Sequence, residues 1–182
     1  MLQEIYKLIA NPINLVVLGW LLIYLFLVFF IFFYKYFSLT SWIKREEEVF
    51  NSLMISKVFP ANSSLKNCIE KAEKVNVFSF DACIEAANKK ANKYLVFLSI
   101  IASTAPFIGL FGTVIGILNA FNNMKSVTTL NMIAPSIADA LIATALGIIV
   151  AVPAYSFHQI LVDKVESLIA TLKMQRDIYL SK

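Results

Sequence analysis

Residues 133–155 read IAPSIADALIATALGIIVAVPAY, an apolar run in which Asp139 is the one ionisable side chain. The run continues to Phe157 and is long enough to cross about 30 Å of hydrocarbon at roughly 1.5 Å per residue. It reads as a membrane span, residues 133–157, with Asp139 as its exception. A buried, unpaired carboxylate is expensive there, and its proton affinity rises to escape that cost. Two readings stay open. Asp139 takes up and releases protons along an ion path, or it hydrogen-bonds a neighbouring helix as structural glue. The first is favoured because intramembrane acids characteristically line ion pathways.

Working outward, residues 94–121 carry no charge and residues 13–34 are almost wholly apolar. Each is long enough to span. With 59% hydrophobic and 15% charged residues, the chain is too apolar for an ordinary soluble domain. The fold class expected is an all-α integral membrane protein with three transmembrane helices and long cytoplasmic helical extensions. The domains expected are a leader at 1–12, a first span at 13–34, a cytoplasmic helical domain at 35–93 and a second span at 94–121. A turn at 122–132, the third span at 133–157 and a cytoplasmic helical tail at 158–182 follow. The leader runs into an apolar stretch too long for a signal-peptide core, so the first span is expected to be retained.

Orientation comes from the cations. Residues 35–93 carry ten Lys and Arg and residues 164–182 carry four, against Lys7 and Lys125 on the other side. That bias places the amino terminus in the periplasm and the carboxyl terminus in the cytoplasm. Within 35–93, apolar faces recur at helical spacing: Ile43, Phe50, Leu53 and Met54; Leu65, Ile69 and Ala72; Phe80, Ile84, Ala87 and Ala91. Ser64 and Ser79 are expected N-caps, and Glu70 with Lys74 an ion pair. Glu46, Glu47, Glu48, Lys89 and Lys90 are expected on solvated faces. The tail carries a stripe of Ile160, Leu161, Val165, Leu168 and Leu172. Pro135 is expected in the first turn of the third helix.

The second and third spans differ from the first in kind. Ala102, Ala105, Gly109, Gly112, Gly116 and Ala120 recur every three or four residues, as do Ser136, Ala140, Ala143, Gly147, Ala151 and Ala154. Such stripes let helix backbones approach closely, so Gly109, Gly112, Gly116, Ala143 and Gly147 are expected to pack helices or line a pore. Thr113 and Thr144 add hydroxyls to these helices. Pro106 and Pro153 each remove a backbone hydrogen bond and are expected to bend them.

Other chemistry is poorly served. His158 is the only histidine, and Cys68 and Cys83 form no CxxC, so neither a metal nor another cofactor is expected. Both cysteines are expected to be reduced, on cytoplasmic helices. There is no phosphate-cradling loop or nucleophile-and-base set, and an enzyme is not expected. A net charge of +4 without a basic cluster interleaved with aromatics speaks against nucleic acid as a partner.

Residues 105–121 (APFIGLFGTVIGILNAF) and 133–155 together resemble the MotA/TolQ/ExbB proton-channel family, specifically its three-span TolQ and ExbB branch. The family pattern AEAL appears here as Ala138-Asp139-Ala140-Leu141, which keeps the carboxylate with a shorter reach. The resemblance implies that Asp139 is the pore acid and Thr113 and Thr144 the pore threonines. It also implies a homopentamer around a central pore that holds the single spans of a TolR- or ExbD-like partner. The function implied is a subunit of an inner-membrane motor driven by the proton motive force, acting on the envelope through a TolA- or TonB-like protein. A Tol-Pal role is favoured on the short leader. The alternatives are an ExbB-type subunit energising TonB-dependent import, a structural membrane scaffold, and a self-sufficient proton-coupled carrier.

Overall fold

The computed structural model describes residues 12–56, 58–60, 63–70, 76–122 and 130–181, apart from the side chains of residues 12–14, 56, 130–136 and 139. Five helices follow one another: α1 (Pro12–Ser56), α2 (Ser64–Ile69), α3 (Val77–Asn92), α4 (Leu95–Asn122) and α5 (Leu130–Leu180). Among the described residues there is no strand. Helices α1, α4 and α5 are each long and apolar enough to cross a membrane, so the chain is an all-α membrane protein. No proline falls inside α1 after Pro12, and it runs unbroken for 45 residues, about 68 Å at 1.5 Å per residue. Helix α5 begins at Leu130, which puts Pro135 inside it rather than in its first turn.

The chain forms two compact units, Met1–Ile31 with Phe97–Phe157, and Phe32–Val96 with His158–Lys182. In the first, Ala105 and Thr113 of α4 are buried, as are Ala140, Ala143, Val150, Ala151 and Ala154 of α5. The two helices meet backbone to backbone. A Cβ added at Gly109 would lie 2.7 Å from the Ala143 carbonyl oxygen and 2.9 Å from the Thr144 Cα. One at Gly147 would lie 2.7 Å from the Ala105 carbonyl oxygen, and one at Gly116 would lie 2.7 Å from the Ala140 Cβ. Gly112 sits against Ala143 and Val17, which brings α1 into the same packing. Bulky side chains such as Phe107, Leu110, Phe111, Ile148, Ile149 and Val152 point outward. This is the distribution expected where close van der Waals contact holds helices together in an apolar solvent.

The second unit has a water-soluble protein's core. Leu39, Val49 and Leu53 of α1, Leu65 and Ile69 of α2, Phe80 and Ile84 of α3, and Leu161, Val165, Leu168 and Leu172 of α5 are buried. The rings of Phe59 and Phe80 lie 4.9 and 5.6 Å from that of Tyr179. Met54 and Ile160, expected in apolar stripes, are exposed.

Several local expectations need correction. Ser63, not Ser64, caps α2: it has extended backbone and accepts from the Lys66 amide. Asn76, not Ser79, caps α3, accepting from the Ser79 amide at 2.8 Å. Lys74, the expected partner of Glu70, lies outside the described residues; Glu70 pairs with Lys66 at 3.9 Å. Cys68 and Cys83 are not free thiols but a disulfide joining α2 to α3. The short helices pack together and bring the two Cα atoms to 6.0 Å, within bridging range.

Glu46 is the largest departure. It is fully buried rather than solvated. Its carboxylate accepts from the Ser64 hydroxyl and amide, from Trp42 Nε1 at 3.3 Å and from Gln175 Nε2 at 3.3 Å. Hydrogen bonds from α1, α2 and α5 thus replace the water that a carboxylate loses on burial.

Candidate functional site

The candidate site is built on the α4–α5 contact of the first unit. Thr113 lies next to Gly112 in α4, is 6% exposed, and donates its hydroxyl to the Leu110 carbonyl at 2.7 Å. That back-bond is the common resting place of a threonine hydroxyl in an apolar helix. Ser103, Thr104 and Ser156 do the same at exposed positions.

Thr144 differs. Its Cα is pressed against Gly109, and its hydroxyl oxygen is buried without a hydrogen-bond partner among the described residues. An unpaired buried hydroxyl costs about 1–3 kcal/mol, so such a group calls for a reason.

Asp139 lies in α5 between Ala138 and buried Ala140, five positions before Thr144; its side chain is outside the described residues. Of the other expected site residues, Gly109, Gly112, Gly116, Ala143 and Gly147 all lie in the α4–α5 contact. Pro106 and Pro153 lie inside helices α4 and α5, which continue through them. No group of three His, Cys, Asp or Glu that could hold a metal ion occurs among the described residues.

Sequence reasoning missed two polar centres in the second unit. Glu46 takes a core place in the series Leu39, Trp42, Glu46, Val49 and Leu53, whose three- and four-residue spacing was the available signal. Lys35, 7% exposed, donates to the Ala91 carbonyl at 2.9 Å and the Lys90 carbonyl at 3.4 Å, satisfying the last turn of α3. Burial, with Lys93 and Lys90 nearby, holds its amine below the ordinary lysine value.

Three apolar helices, two of them meeting through glycine and alanine, define a multi-pass membrane protein made for helix association. Residues 57–174 match the MotA/TolQ/ExbB proton channel family, and the chain belongs to that family, in its TolQ/ExbB branch. It is similar to a biopolymer transport protein of Helicobacter pylori named ExbB-like 1, 41% identical over 174 residues that cover 93% of this chain and 92% of that one. It is also similar to the Tol-Pal system protein TolQ of Pseudomonas aeruginosa, 48% identical over 73 residues, 39% of this chain and 32% of that protein. The biopolymer transport protein ExbB of Salmonella typhimurium is 37% identical over 97 residues, 52% of this chain and 40% of that protein.

Proposed function

We propose that this chain is the channel subunit of an inner-membrane motor in which protons cross beside Asp139, Thr144 and Thr113 and drive a single-span TolR- or ExbD-like partner. The observation that carries the reading is the buried, unpartnered Thr144 hydroxyl at the α4–α5 contact, in a helix that also carries Asp139. The subunits form a ring, a pentamer by family likeness, with the amino terminus periplasmic and the carboxyl terminus cytoplasmic. Asp139 binds the proton or sets the field felt by the partner's acid, and Thr113 and Thr144 offer hydroxyls to water or that acid. The chain performs no covalent chemistry. One proton descending about 100 mV releases about 2.3 kcal/mol, so useful work takes repeated steps.

Of the two envelope roles, energising TonB-dependent import has the broader support. The ExbB-like relative matches along 92% of its length, whereas the TolQ of Pseudomonas aeruginosa matches along 32% of its own. A Tol-Pal role remains the second reading on the strength of that shorter, more nearly identical stretch.

The test is proton flux into vesicles carrying the complex with its copurified partner, for Asp139→Asn, Thr144→Val and Thr113→Val. Loss of flux in the Asp139 and Thr144 variants, with the ring still assembled, is expected. Full flux in both would overturn the proposal and leave the scaffold reading. Loss of siderophore uptake, or instead of envelope integrity, in cells carrying Asp139→Asn separates the two roles.

A further inference from the structure

In the second unit a cavity of about 530 Å³ is lined by Lys35, Arg45, Lys90 and Lys93, with Tyr34, Tyr94 and serine hydroxyls between them. Among the described residues none of the four cations has an Asp or Glu within ion-pair distance. Glu46, which accepts from Ser64 on the cavity wall, does not itself line it. Like charges therefore converge on an open space without a protein anion to offset them.

The turn that presents two of these residues is held at some cost. Tyr94 has a left-handed backbone, φ 77°, unusual for an aromatic residue, and Lys93 stands over its ring at 5.1 Å. Lys90 stands over the ring of Trp42 at 5.4 Å. Lys35 uses its amine on the Ala91 and Lys90 carbonyls, and an ammonium has a third N–H to give.

Position selects the ligand. Tyr34 and Lys35 stand where the apolar run of α1 gives way to charge, and Lys93 and Tyr94 stand immediately before the run of α4. Tyrosines and basic residues at those boundaries mark the headgroup layer, and basic pockets on the cytoplasmic side of a bundle suit anionic headgroups. We infer that this cavity is a binding site for the phosphate of an anionic phospholipid of the inner leaflet, with Arg45 and Lys93 as its principal contacts. The inference rests on the proposed orientation and not on the proton pathway.

The experiment is native mass spectrometry of the full-length complex from nanodiscs of phosphatidylglycerol mixed with phosphatidylcholine. The wild type is expected to retain phosphatidylglycerol in preference to phosphatidylcholine. Arg45→Ala with Lys93→Ala should cut that retention about thirtyfold, the scale of two lost cation–headgroup attractions. Arg45→Lys with Lys93→Arg should keep it, as should Lys44→Ala with Lys89→Ala, which removes the same charge from exposed positions outside the cavity. Thr144→Val should also keep it, even if proton flux is lost. Equal retention of both lipids, or equal losses in the cavity and control variants, would overturn the inference. Displacement of the lipid by millimolar inorganic phosphate would overturn the lipid assignment and leave a site for a soluble anion.

Discussion

Gln175 Nε2 donates to the main-chain carbonyl of Glu46 at 2.8 Å and to its carboxylate at 3.3 Å, across 129 residues of sequence. Both residues are fully buried. Replacing Gln175 with Leu keeps the volume and strips the carboxylate of one donor. The second unit should lose about 2 kcal/mol, the scale of a buried polar group left short of a hydrogen bond. Gln175→Glu should cost more, since it faces one carboxylate with another. Thermal unfolding of the purified protein, read by protease resistance of the second unit, checks both.

Gly109→Ala is expected to be among the more damaging small substitutions. The added Cβ would meet the Ala143 carbonyl oxygen at 2.7 Å and the Thr144 Cα at 2.9 Å, both main-chain atoms that cannot turn aside. Overpacking of this kind costs about 1–3 kcal/mol. Gly19→Ala has nothing within 4 Å and should leave thermal stability unchanged or slightly raised. A reversed order of the two melting temperatures would show that α4 and α5 do not meet as described.

Thr144→Val should separate stability from function. The replacement is nearly isosteric and removes a buried hydroxyl that has no partner among the described residues. Stability should therefore shift by less than about 1 kcal/mol, and upward if at all. A large loss of melting temperature with proton flux intact would mean that the hydroxyl serves the fold.

The disulfide lies in the segment that the cation bias assigns to the cytoplasm, a compartment that reduces accessible disulfides. Cys83 is buried and Cys68 half-buried, which limits attack by a thiol. Both cysteines should therefore resist maleimide labelling in the native complex until a reductant and denaturant are added together. Cys68→Ser with Cys83→Ser, which opens a loop of 15 residues, should destabilise the second unit by about 3 kcal/mol. Full labelling of the native protein without reductant would show that the helices only hold the two thiols within reach.

The three apolar helices were legible because a bilayer demands a minimum length of uncharged sequence, and that demand is written residue by residue. The small-residue stripes were legible for a similar reason: Gly109, Gly112, Gly116 and Gly147 have no use on a lipid-facing surface. Glu46 and Lys35 were not legible. A charged side chain looks the same in sequence whether it meets water or protein hydrogen-bond partners, and those partners are remote in the chain: Ser64 and Gln175 donate to Glu46, and the carbonyls at the end of α3 accept from Lys35. The caps were missed by small shifts, Ser64 for Ser63 and Ser79 for Asn76, because more than one capping candidate stands at each helix start. Thr144 was singled out for its place beside Asp139, but that its hydroxyl lacks a partner followed only from the packing of Gly109 against it.

Four glycines put α4 and α5 in contact without compressible side chains between the backbones. Sliding one helix past the other by a single residue would drive Cα atoms into carbonyl oxygens, so the pair behaves as one stiff stave. Movement against a neighbouring helix must then be carried by softer surfaces, the bulky outward side chains of the pair.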